Sequence, residues 1–310
     1  MNRREALNSL AGAIVTSGMF PHSARANGAT ALAAKPCEPH PGHPPYIETG
    51  DGTMLFYQDW GAGKCILFIS SMCLSSQIWQ YNMLPLSDRG FRCVGYDRRG
   101  HGRSMQPGRG YDYDTLADDL ACVINQLDLH AVTLVGHSMG AGEIVRYLSR
   151  HGAERVARIV FVAPGLPFML KTPDNPEAQE RSVSDQVFAS WYRDYPGWVA
   201  SGVPSFVPET SNAQMEWVGS LCMQASLKAL TDCYHAVIET DFRREVAAIR
   251  LPTMIVQGDK DTAALIDFTG RRTAQLIKGS QFKVYRGAPH GLMVTHAEQL
   301  NNDLAQFVAT

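Results

Sequence analysis

A serine between two glycines, Gly136-His137-Ser138-Met139-Gly140, stands where an apolar run, residues 132–135, gives way to helical spacing over residues 141–150. No other feature of the chain constrains its fold as much. A chain that passes from strand to helix within so few residues strains its backbone there, and the flanking glycines must pack closely. The turn lifts the serine hydroxyl clear of the sheet. It also sets Ser138 at a helix N-terminus, where free N–H groups and the macrodipole favour developing negative charge. Ser138 is therefore the candidate nucleophile.

Around this turn, short apolar runs alternate with longer amphipathic ones. Residues 65–69 read as strand, 78–86 as helix, 91–96 as strand, 113–127 as helix and 132–135 as strand. The runs Cys-Ile-Leu-Phe-Ile and Val-Thr-Leu-Val are too continuous for strands with one wet face. They suit a mostly parallel central sheet with helices on both faces, and the alternation predicts an α/β fold. After a helix at 143–150 and a strand at 159–163 the rhythm breaks. Residues 165–240 are rich in proline, tryptophan and tyrosine at mostly helical spacing, which marks a helical lid inserted into one domain. Strand, helix, strand and helix then resume at 253–257, 266–277, 282–285 and 297–307.

A serine hydroxyl needs a base to take its proton, and in such a fold the base lies late, in the order serine, acid, histidine. His290 follows the last apolar strand on a loop, free of the core. His296 opens a surface helix and reads as a solvated residue. Between serine and histidine, Gly258-Asp259-Lys260-Asp261 follows a strand, where a carboxylate holds an imidazole in the right tautomer. Asp261 is the candidate acid; Asp259 fits a turn residue or helix cap better.

Together Tyr96-Asp97-Arg98-Arg99-Gly100-His101-Gly102-Arg103-Ser104, the Ser138 pentapeptide and Ala288-Pro289-His290-Gly291 resemble the cofactor-free bacterial haloperoxidases, also called non-haem chloroperoxidases. The resemblance runs from about Tyr46 to Val308. It implies the α/β-hydrolase fold, no metal, haem or other cofactor, and hydrolysis of esters through an acyl-enzyme. With hydrogen peroxide as a second reactant, such enzymes make peracids that oxidise halides. The resemblance also implies a Ser138, Asp261, His290 triad, with the backbone N–H groups of Met139 and Met72 as oxyanion donors. Here the chain departs from the family: Ser70-Ser71-Met72-Cys73 stands where the family has His-Gly-Trp-Pro or His-Gly-Phe-Pro. The loss of glycine, aromatic and proline is expected to change substrate choice. The same triad also serves lactone and carbon–carbon bond hydrolases, and a ligand-binding receptor with an idle triad is the alternative of another class.

Residues 99–104 lack G-x-x-x-x-G-K-[ST] and read as a structural turn rather than a phosphate loop. Trp191, Tyr192, Tyr195, Trp198, Phe206 and Trp217 either line an apolar cleft or pack the lid. A net charge of −2 gives no field to gather nucleic acid, so the expected partners are small esters or acids. His40 and His43 lack companions at metal-ligand spacing. Seven cysteines cannot all pair within one chain; Cys65, Cys93 and Cys122 sit in apolar runs as small core residues, and Cys222 with Cys233 is the pair worth testing.

Residues 1–26 read as an export signal, 27–52 as a linker and 53–310 as the catalytic domain. Arg3 and Arg4 precede an apolar stretch at 10–20, about half of the roughly 20 residues a bilayer span needs, and Ala24-Arg25-Ala26 supplies a cleavage pattern. The paired arginines resemble a twin-arginine signal and imply a periplasmic protein without a permanent membrane anchor. On this reading the mature chain begins near Asn27, and Arg3→Lys with Arg4→Lys retains the precursor in the cytoplasm. N-terminal sequencing after cell fractionation checks this, and an intact Met1 on the cytosolic wild-type protein contradicts it.

Overall fold

The computed structural model describes residues 45–310; the proposed signal, His40, His43 and Cys37 lie outside them. Eight strands form one sheet in the order β1-β2-β4-β3-β5-β6-β7-β8. They are β1 (Tyr46–Glu48), β2 (Met54–Trp60), β3 (Cys65–Ile69), β4 (Arg92–Tyr96), β5 (Val132–His137), β6 (Val156–Val162), β7 (Thr253–Gly258) and β8 (Gln281–Tyr285). From β4 to β8 all neighbours are parallel, while β1 and β2 enter antiparallel. This is the mostly parallel α/β-hydrolase sheet expected. The antiparallel start lacks the continuous apolar signal, and β1 begins inside the segment read as linker.

Side chains alternate across the sheet, and both faces are buried along its central strands, β3 to β7. Leu67, Ile69, Leu134 and Phe161 point into one apolar cluster with α2 (Tyr113–Gln126) and α3 (Met139–His151). Ile66, Phe68, Val135 and Val160 point into the other, with α1 (Gln80–Asp88), α9 (Leu292–Thr295) and α10 (Ala297–Ala309). The period of two therefore survives within an unbroken apolar run. Asp112 caps α2, its carboxylate accepting from the Thr115 N–H at 2.9 Å. The helix expected over 266–277 is regular only as α8 (Gly270–Leu276). The buried Gln257 amide takes the preceding groups, donating to Thr269 Oγ1 at 2.9 Å and accepting from the Gly270 N–H at 2.8 Å.

Between β6 and β7 the chain inserts α4 (Arg181–Phe206), α5 (Asn212–Cys222), α6 (Leu227–Glu239) and α7 (Arg243–Ala248). α4 is two helices joined at Asp194, whose side chain caps the second half by accepting from the Gly197 N–H at 2.9 Å. Pro196 falls in that new first turn, where no amide hydrogen is needed. No helix among the described residues is long and apolar enough to cross a membrane.

At the carboxyl end of β4 the two arginines are committed to carboxylates. Arg99 pairs with Asp119 and Asp51. Buried Arg98 pairs with buried Glu143 on α3, its Nε donating to Oε1 at 2.6 Å, while Tyr96 Oη donates to Oε2 at 2.9 Å. This agrees with the structural reading of that turn. Removing one partner of such a pair leaves an uncompensated buried charge. Glu143→Gln is therefore expected to lower the unfolding free energy by about 3–5 kcal/mol, read by urea denaturation. A change under about 0.5 kcal/mol would show the pair to be dispensable.

Candidate active site

All the predicted site residues follow the carboxyl ends of two neighbouring strand pairs, β3 with β5 and β7 with β8, separated by β6. β5 lies mid-sheet, paired to β3 with Ile69 opposite Gly136, so Ser138 and the loop from Ser70 to Cys73 emerge side by side. Asp261 follows β7 and His290 follows β8. Ligands in open α/β sheets sit at this end.

Ser138 occupies φ 53°, ψ −111°, a strained conformation for a residue with a side chain. Its N–H donates to the Val162 carbonyl at 3.0 Å, and its carbonyl accepts from Ala141 and Gly165 N–H groups, both at 3.2 Å. A Cβ at Gly140 would lie 2.7 Å from the Ile69 carbonyl oxygen, and one at Gly136 2.7 Å from Gly140 itself. Only glycine permits this approach of helix to sheet. Ser138 is half-buried, and its hydroxyl makes no hydrogen bond to His290.

His290 Nδ1 lies 2.8 Å from Asp261 Oδ2, both residues being buried. The other carboxylate oxygen accepts from the N–H groups of Ala263 and Ala264 at 2.9 and 2.8 Å. Burial acts to raise the Asp261 carboxyl. The His290 charge and hydrogen bond and the two backbone donors outweigh it, and hold it below the ordinary value. A carboxylate only accepts, so Nδ1 carries a proton, and in the neutral ring Nε2 is then left with a free lone pair. Asp259 is exposed and closes the turn, accepting from the Gly287 N–H at 2.6 Å. That is the turn role read for it.

Sequence reasoning missed His137. Buried beside His290, it approaches the His290 carbonyl with Nε2 at 3.1 Å, the rings 4.7 Å apart. The carbonyl accepts, so Nε2 holds the proton and the ring props the histidine loop. Burial, then the neighbouring His290, push His137 well below an ordinary histidine, so it stays neutral. The motif contained this residue, but nothing local says which way its side chain points.

The Met72 and Met139 N–H groups have no hydrogen-bond partner among the described residues. Arg98 fixes the first of them indirectly, donating to the Ser71 carbonyl at 3.1 Å and the Ser70 carbonyl at 2.6 Å. A cavity of about 280 Å³ opens here, lined by Met72, Cys73, Leu74, Val203, Phe206 and His290 among others. Ser138 is not part of that lining.

The α/β-hydrolase fold family matches residues 64–220. The chain is 36% identical over 278 residues to the non-heme chloroperoxidase of Kitasatospora aureofaciens, covering 85% of this chain and 99% of that protein. It is 35% identical over 277 residues to the bifunctional esterase/perhydrolase of Acinetobacter calcoaceticus, with the same coverage of both. The bromoperoxidase structure from Bacillus anthracis is 32% identical and superposes with a TM-score of 0.83 over 86% of this chain and 99% of that one. The chain belongs to the non-heme haloperoxidase family of α/β hydrolases. It is accordingly an enzyme of the esterase and haloperoxidase kind.

Within the family fold, the departure at residues 70–73 has a backbone consequence. Cys73, not Ser71, takes the left-handed conformation, at φ 62°. Proline, confined near −65°, cannot occupy it. The chain thus takes a path closed to the His-Gly-Trp-Pro or His-Gly-Phe-Pro pattern that the resemblance implies here. The insertion aromatics divide: Trp198 and Phe206 line the cavity, Trp191 and Tyr195 are buried in packing, and Tyr192 is 70% exposed. Trp217 stacks edge-on to Tyr81 outside the cavity. Cys222 and Cys233, the pair worth testing, are both free and do not meet. Cys233 is buried in the opposite cluster, and Cys222 faces Cys73 instead, Sγ to Sγ 3.6 Å. A sequence pattern carries no signal for a pairing 149 residues apart. Among the described residues no three His, Cys, Asp or Glu side chains cluster as a metal site.

Because the folded Asp261 carboxyl lies below its unfolded value, its ionised form favours folding. That contribution is fully present above the unfolded value of about 4 and is lost as pH falls through the folded value. Urea unfolding from pH 7 down to 3 is expected to show wild type losing more stability on acidification than Asp261→Asn; equal acid limbs would contradict it.

Proposed function

We propose that the chain is a serine esterase in which Ser138 attacks an acyl carbonyl, His290 Nε2 takes the hydroxyl proton and Asp261 stabilises the imidazolium. The buried Asp261–His290 hydrogen bond carries this reading, because it leaves Nε2 as the one ring atom able to accept. Met72 and Met139 N–H groups hold the oxyanion of the tetrahedral intermediate. His290 then returns its proton to the departing alcohol, leaving an acyl-enzyme. Water, deprotonated by the same imidazole, releases the acid. Hydrogen peroxide in its place releases a peracid, as the Acinetobacter esterase/perhydrolase precedent suggests. With Cys73 in place of proline on the oxyanion loop, hydrolysis dominates and perhydrolysis is weak.

The cavity supports a small uncharged substrate. Its lining among the described residues includes Leu74, Val199, Val203 and Val218, and no Asp, Glu, Lys or Arg. Short-chain and aryl esters fit that description, with the helices over the cavity acting as a lid. The arginine pair and the Ala-Arg-Ala pattern of the sequence support export of this activity from the cytoplasm.

Ser138→Ala is expected to lose ester hydrolysis and any peroxide-dependent halide oxidation together, by several orders of magnitude in kcat, with chelators affecting neither. Asp261→Asn is expected to lower kcat by about 10⁴ through the wrong imidazole tautomer, and Asp259→Asn far less. Chromogenic esters, with and without hydrogen peroxide, give both readouts. Esterase activity persisting in Ser138→Ala refutes the nucleophile, and halide oxidation without any carboxylate refutes the peracid route.

A further inference from the structure

We infer that Cys73 and Cys222 form an oxidisable pair, whose disulfide ties the oxyanion loop to the end of α5 and slows the enzyme. Their sulfurs are in contact at 3.6 Å, and both side chains line the cavity beside His290. A disulfide of about 2.05 Å needs the sulfurs to approach by about 1.5 Å. The two residues belong to parts joined by no other covalent link nearby. Cys73 adjoins the Met72 N–H in a left-handed turn, and Cys222 closes α5, where its carbonyl accepts from Tyr195 Oη at 3.0 Å. The other described cysteines lie elsewhere: Cys65 and Cys93 in the sheet, Cys122 on α2, Cys233 in the opposite cluster.

Hydrogen peroxide is the oxidant. One sulfur, as thiolate, attacks a peroxide oxygen and becomes a sulfenic acid; the hydroxide released picks up a proton to give water. The second sulfur displaces the sulfenic oxygen, which leaves as a second water with the remaining thiol proton. Two thiols and one peroxide thus give one disulfide and two waters, each sulfur supplying one electron. The hydrogen bond to Cys222, and then burial, push the Cys73 thiol well above its ordinary value, so the step is slow at neutral pH and faster in alkali.

Closing the bond draws Cys73 toward α5, and the adjoining Met72 N–H moves with it. Displacements of about 1 Å in such a site are costly, so the rate falls by about tenfold or more. The bond also encloses a long loop, so the melting temperature rises by about 5 °C or more.

The test treats the full-length enzyme with hydrogen peroxide across pH 7 to 9, blocks remaining thiols and digests it. The expected result is a peptide joining Cys73 to Cys222, lighter by two hydrogens, together with the higher melting temperature and a loss of esterase rate that dithiothreitol reverses. Cys222→Ser, and Cys222→Ala should the first fail to fold, is expected to show no such response, its treated-to-untreated rate ratio staying near one. Only the rate arm rests on the proposed esterase reading; the cross-link is read without substrate. No cross-link, a cross-link to another cysteine, or an equal reversible rate loss in both Cys222 variants overturns the proposal.

Discussion

The guanidinium of Arg98 joins three parts of the molecule that chain order keeps apart. It leaves β4, pairs with Glu143 inside α3, and donates to the Ser70 and Ser71 carbonyls of the loop after β3. A buried charge of this kind tolerates little movement, because each lost contact exposes an unpaired ion to a poor solvent. The loop bearing Met72 and the helix behind Ser138 are thereby held to one frame. Two elements of the proposed oxyanion site thus depend on an ion pair that takes no part in the chemistry.

The sheet supplies the rest of the frame. Strands buried on both faces run parallel, so their carboxyl ends collect at one edge, and each functional loop needs only a few residues to reach it. His137 and His290 illustrate the division of labour. One is dry, neutral and props a backbone carbonyl; the other is oriented by a carboxylate at 2.8 Å and faces the cavity. Two imidazoles with rings 4.7 Å apart differ because their hydrogen-bond partners differ.

The insertion supplies much of the cavity lining. Trp198, Val199, Val203 and Phe206 from α4, with Val218 and Cys222 from α5, build most of an apolar wall of the cavity that Met72 and Cys73 also line. That wall and the Cys73 turn meet at the two sulfurs. The resemblance implies a proline at this point, which would stiffen the backbone; here a positive-φ cysteine takes its place and touches Cys222 at the end of α5.

The sequence by itself determined the parallel sheet, the elbow at Ser138 and the positions of Asp261 and His290 along the chain. These rest on local rules: apolar periodicity selects strand or helix, and glycines mark backbone that must come close. It undervalued β1 and β2, whose antiparallel pairing leaves no continuous apolar run, and it started the sheet too late. It extended the helix before residue 277, because a buried glutamine amide competing for backbone groups has no local signature. Only the tertiary structure decided that Arg98 serves Glu143, that His137 supports His290, which aromatics face the cavity, and that Cys222 meets Cys73 rather than Cys233. Each of these is a contact across many residues of chain, fixed by side-chain direction and by the packing of elements, neither of which a linear pattern records.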